Sequence, residues 1–110
     1  MHLNAPEPSN DRGFLLYGGS AVETSYGHAV RIQESSAASG PHCWMFIGEG
    51  SGVTGNEPHL SLADAIEIRD RLTQFIDSVP ERWTRGAAML GEAYAEVVRR
   101  RTTGGEERVK

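Results

Sequence analysis

The stretch Tyr26-Gly27-His28-Ala29-Val30-Arg31-Ile32-Gln33 decides how this chain is read. Tyr26, His28, Val30 and Ile32 share one parity, and Arg31 and Gln33 share the other. A period of two puts an apolar stripe on one face and charge on the opposite face, which is the pattern of a half-buried strand. Upstream, Phe14-Leu15-Leu16-Tyr17 and Ala21-Val22-Glu23-Thr24 flank Gly18-Gly19. Two glycines between β-prone runs signal a hairpin, because the favoured turns need positive φ at both centres. Val22 and Thr24 share the parity of Val30, so one long strand bent at Gly27 is the competing arrangement. Downstream, residues 35–41 read as a connecting loop. Cys43-Trp44-Met45-Phe46-Ile47 is a short continuous apolar run ending at Gly48, which predicts a central strand buried on both faces.

Beyond Gly48 the period changes. Residues 48–58 hold four Gly and two Glu without periodicity and read as a mobile loop, a candidate contact surface. Ser61 is a preferred N-cap, and Asp64 three residues on completes a capping box with a shorter acid. Ala65, Ile68, Leu72, Phe75, Ile76 and Val79 then recur at three- and four-residue spacing, so a core helix is predicted from residue 61 to about 78. Pro80 suits the first turn of a new helix, which places a second helix over residues 80–101. There Trp83, Ala87, Leu90, Tyr94 and Val97 form a heptad-like seam. Gly86 and Gly91 weaken that helix by about 1 kcal/mol each. The expected fold is α+β: a three- to four-stranded antiparallel meander followed by two helices packed on or beside it. A single domain over residues 13–101 is expected between flexible tails at 1–12 and 102–110.

Length and composition bound the function. The chain has 110 residues, enough for one domain, and is 38% hydrophobic. Cys43 is its one cysteine, which excludes an internal disulfide and fits a reducing compartment. The opening Met1-His2-Leu3-Asn4-Ala5-Pro6 has neither a basic n-region nor an apolar h-region, and no apolar run approaches the ~20 residues of a membrane span. The expectation is a cytoplasmic chain without a signal peptide or membrane segment. The net charge of −4 is uneven. Residues 1–80 carry four Arg against ten Asp and Glu, while residues 81–110 carry six Arg and one Lys against five Glu. Ten of the eleven basic residues are Arg, a bias that fits a high-GC genome.

Each chemical motif has a plainer reading beside it. Gly50-Ser51-Gly52-Val53-Thr54-Gly55 matches G-x-G-x-x-G. A helix should open within such a motif to cradle phosphate, yet Asn56-Glu57-Pro58 intervenes, and Glu49 and Glu57 would repel the anion. His28, His42, Cys43 and His59 lack the paired spacing of a zinc site, and adjacent His42 and Cys43 point to opposite faces of a strand. No metal and no cofactor is therefore expected. Ser35, Ser36 and Cys43 could serve as nucleophiles only beside a held base, and no G-x-S-x-G occurs. Cys43 reads as a small buried hydrophobe, and no catalytic residues are assigned. Arg99, Arg100 and Arg101 could contact phosphates, but cations also suit a helix C-terminus. Trp83, Leu90, Tyr94 and Val97 are the candidate interface, as Trp and Tyr are common anchors. The plainer reading packs them in the core.

The run from Gly27-His28-Ala29-Val30-Arg31-Ile32-Gln33-Glu34-Ser35-Ser36-Ala37-Ala38 through Trp44-Met45-Phe46-Ile47 to Pro58-His59-Leu60-Ser61-Leu62-Ala63-Asp64-Ala65 resembles small uncharacterised proteins of actinobacteria and their phages. In that group a strand ends in a Glu-Ser-Ser turn, a Trp-bearing strand follows, and a His-Leu-Ser start opens a helix. The resemblance covers about half of the chain and implies an accessory protein of phage or actinobacterial type, acting in the (host) cytoplasm. It carries over no activity and no functional residues. The expected function is non-catalytic: self-association, as a dimer, or binding of a host protein. A small nucleic-acid-binding regulator using Arg99 to Arg101 is the alternative.

Overall fold

The computed structural model describes residues 5–36, 40–48 and 57–109. Its internal contacts divide the chain into two compact units, Asn4–Glu67 and Ile68–Lys110, and each is described by itself. The fold is α+β, an antiparallel sheet followed by two helices.

The sheet unit holds six strands among the described residues: β1 (Ser9–Asp11), β2 (Phe14–Leu16), β3 (Val22–Glu23), β4 (Ala29–Glu34), β5 (His42–Ile47) and β6 (His59–Ser61). All pairings are antiparallel, in the order β1-β2-β4-β5-β6, with β3 also on β4. The first strand falls in the stretch read as a tail. Its two-residue turn puts Arg12 at φ 56° and Gly13 at φ 92°, and the Gly13 N–H donates to Asn10 Oδ1 at 2.9 Å. Both centres take the left-handed conformation that a tight hairpin requires.

Gly18-Gly19 does not make the expected hairpin. Tyr17–Gly19 is a 3-10 turn, and β2 and β3 both pair with β4 instead of with each other. Leu16 lies opposite Gln33 and Val22 opposite Val30, so the two glycines carry the chain along β4. The Leu15 N–H also donates to Glu34 Oε1 at 3.1 Å. The hairpin sits one step later, between β3 and β4. There Gly27 takes φ 86°, and Thr24 Oγ1 accepts from the His28 N–H at 3.0 Å. This turn replaces the bent single strand.

β5 is paired on both edges, by β4 and β6. It is not buried on both faces. Phe46 is 6% exposed, while His42 to Met45 are half-buried and Ile47 is exposed. Among the described residues only Phe46 and Leu60 are buried hydrophobic side chains. Pairing sets the faces: Arg31, Gln33, His42, Trp44, Phe46 and His59 share one, and Val30, Ile32, Cys43, Met45 and Leu60 share the other.

α1 (Leu62–Arg82) opens on the expected box. Ser61 Oγ accepts from the Asp64 N–H at 3.1 Å, and Asp64 Oδ2 accepts from the Ser61 N–H at 3.0 Å. Its far end corrects the sequence reading. Pro80 lies inside α1 and starts no helix. A proline so near the C-terminus loses one ladder bond and leaves only Glu81 and Arg82 to follow. The break falls after it: the Trp83 N–H donates to the Val79 carbonyl at 3.1 Å, and Arg85 takes φ 67°. α2 (Gly86–Val109) then runs through the stretch read as a C-terminal tail. Gly86 is required where it stands, because a Cβ there would overlap the Val79 carbonyl and Pro80 Cα.

Candidate interaction surface

The α1 stripe read as a core face is only partly covered. Ala65, Ile68 and Val79 are half-buried. Leu72 is 57% exposed, Phe75 60% and Ile76 38%. An apolar run of this size on a helix marks an interaction surface more often than a scattered surface leucine does. The spacing of these residues was legible, but their exposure was not, since an apolar stripe looks the same whether its cover is the chain's own core or a partner.

The sequence-predicted interface residues divide. Trp83 lies in the connection between the helices, 54% exposed, and not within α2. Leu90, Tyr94 and Val97 lie on α2 and are half-buried, while Met89 and Val98 beside them are exposed. The basic run forms no single patch. Consecutive helical residues turn by ~100°, so Arg99, Arg100 and Arg101 face three directions. Arg100 lies 3.5 Å from Glu96, and Arg101 is half-buried.

The sheet unit carries a second cluster, on the face of Arg31 and Trp44. The Trp44 and His59 rings stack at 4.1 Å, and His42 and His59 lie 5.0 Å apart. Arg31 sits 4.8 Å over the Phe46 ring. His42 Nδ1 donates to the Gly40 carbonyl at 2.9 Å, and His59 Nε2 lies 2.8 Å from Ser35 Oγ. A hydroxyl beside an imidazole is the start of a nucleophilic pair, but hydrolysis also needs the imidazole held from its other nitrogen. Among the described residues no third group does so. His28 stands in the β3–β4 turn, and Cys43 points to the opposite sheet face. No three His, Cys, Asp or Glu gather as metal ligands among the described residues.

Beside Cys43, an open, mainly apolar pocket of about 290 Å³ is lined by Tyr17, Pro41, Cys43, Leu60, Leu62 and Ala65 together with His42 and Ser61. Burial pushes the Cys43 thiol up, and burial followed by the nearby Glu34 charge pushes the Tyr17 phenol up. The glycine motif at residues 50–55 and most of the loop at 48–58 lie outside the described residues. No helix among the described residues is long and apolar enough to cross a membrane. Comparison of the chain with protein-family models, with curated proteins and with solved structures gives no match.

Proposed function

We propose that this chain is a non-catalytic interaction protein that associates with itself through the helical unit. The observation that carries this reading is the exposed stripe Leu72, Phe75 and Ile76, with Trp83 at its end. Large apolar side chains in water are what a partner surface removes, at roughly 1.5–3 kcal/mol for each one fully covered. Leu90, Tyr94 and Val97 on α2 are half-buried and form a second apolar seam. The resemblance of residues 27–65 to actinobacterial and phage proteins, with the Arg-over-Lys bias, supports that origin and a cytoplasmic setting. The nucleic-acid alternative has less to support it, because the three arginines are spread around α2.

Light scattering after size exclusion tests the reading on the wild type and on the paired change Leu72→Asp with Phe75→Asp. The expected result is a dimer that becomes a folded monomer. A monomeric wild type that pulls down one host protein through the same residues would replace self-association with a host partner. A monomer whose paired variant unfolds would return the stripe to the core and end the proposal.

A further inference from the structure

We infer that the surface receiving the α1 stripe is the apolar pocket over Cys43 and Leu60 on the sheet of a second copy. This rests on the self-association reading and names its two faces. Charge decides which surfaces can meet. Residues 4–67 carry eight Asp and Glu against two Arg, a balance of −6. Residues 68–110 carry nine Arg and Lys against seven Asp and Glu, a balance of +2. Two sheet units facing each other bring like charge together. Two α1 stripes do the same locally: at ~100° per residue, Arg69, Arg71 and Arg82 border the stripe, and Asp77 and Glu81 fall on the far side, although Arg69 is ion-paired with its neighbour Asp70 at 2.9 Å. A stripe edged by arginine fits an apolar surface edged by carboxylates.

The sheet unit offers one. Cys43, Leu60, Leu62 and Ala65 are the apolar part of the pocket's lining, which His42 and Ser61 share. Glu34 lies opposite Cys43 in the β4–β5 register, where it accepts from the Leu15 N–H, and Asp64 stands in the first turn of α1 between the lining residues Leu62 and Ala65. At about 290 Å³ it sits at the floor of the ~300–1,000 Å³ range of small-molecule sites, a size suited to a protruding side chain. Phe75 and Leu72 are the exposed large side chains at the middle of the arginine-edged stripe. Such a helix-on-sheet contact joins two different surfaces. Made reciprocally between two copies, it closes as a twofold dimer and leaves no face to extend a fibre.

The test uses the one native cysteine. A tagged chain with Cys43→Ser and Leu72→Cys is mixed with the untagged wild type and treated with a short bismaleimide. The mixture is read beside the mass of the wild type in solution, with circular dichroism to confirm folding. The expected result is a dimer whose main cross-link joins position 72 of one chain to Cys43 of the other. Phe75→Asp, at a 60% exposed position and checked for folding by the same circular dichroism, weakens that dimer roughly tenfold or more. A dimer that gives only tagged–tagged product, only untagged–untagged product or none overturns the helix-on-sheet contact and leaves self-association standing. A wild type that is monomeric at every concentration overturns both.

Discussion

The sheet unit and the helical unit solve the same problem by opposite means. In the sheet unit position is set by direction: ladder bonds, left-handed turns at Arg12-Gly13 and Gly27, and the ring stack Trp44–His59 fix which residue faces which. Little of that depends on burial, as Phe46 and Leu60 alone are buried hydrophobic side chains among the described residues, and neither is fully enclosed. In the helical unit the backbone satisfies itself within each helix, and the apolar stripe is left to water at Leu72 and Phe75. Hydrogen bonds specify an arrangement, while burial supplies most of the free energy that holds it. That imbalance is what the proposed self-association would relieve.

Four changes would break or sharpen this contrast. The largest effect is expected at Phe46, the most enclosed side chain of the sheet unit. Phe46→Ala should cost about 3 kcal/mol in urea unfolding, because it removes the floor beneath both Arg31 and Trp44. A loss below about 1 kcal/mol would mean that the sheet is held by its ladder alone. Next comes Gly86, the counterpart in the helical unit. Gly86→Ala forces a methyl group into the Val79 carbonyl and should cost about 2 kcal/mol, seen as lost helicity with the sheet signals intact. Third is the cap. Ser61→Ala should cost about 1 kcal/mol, read by the same unfolding.

The smallest effect is a pH dependence at that cap. The Ser61 backbone N–H, then its side chain, hold the Asp64 carboxyl below its ordinary value. A depressed carboxyl contributes stability that is fully present above the unfolded value of ~3.9 and is lost as pH falls through the lower folded value. Acid titration of helicity should therefore show a limb below about pH 4 that Asp64→Asn removes. An unchanged limb in the variant would assign it to other carboxylates.

How much was legible depended on whether the signal was local. The alternation at Val30 and Ile32, the apolar run from Cys43 and the Ser61–Asp64 box all reappear as β4, β5 and the α1 start, because period and cap are properties of neighbouring residues. β1 was hidden, since Arg12 rather than Asn or Gly takes a positive φ in its turn. β6 is three residues long, too short to show a period. Gly18-Gly19 was read for the right conformation and the wrong partner, because which strand pairs with which is decided by β4, far along the chain. Pro80 misled, because the helix stop lies in Arg85 and in the close approach of Gly86. Exposure was half legible: the sequence marks Trp83 as a contact candidate and it is exposed, while the periodicity places Leu72 and Phe75 in a core and both are exposed.

Each unit holds one tryptophan, Trp44 in the sheet and Trp83 beside the stripe, so the contrast can be read directly. In Trp44→Phe protein, Trp83 is the remaining indole. Its emission and its quenching by acrylamide, followed through a dilution series, report whether the exposed end of the stripe is covered in solution. The account predicts blue-shifted, poorly quenched emission at high concentration that reverts to that of a water-exposed indole on dilution. Emission of a water-exposed indole at every concentration would contradict it.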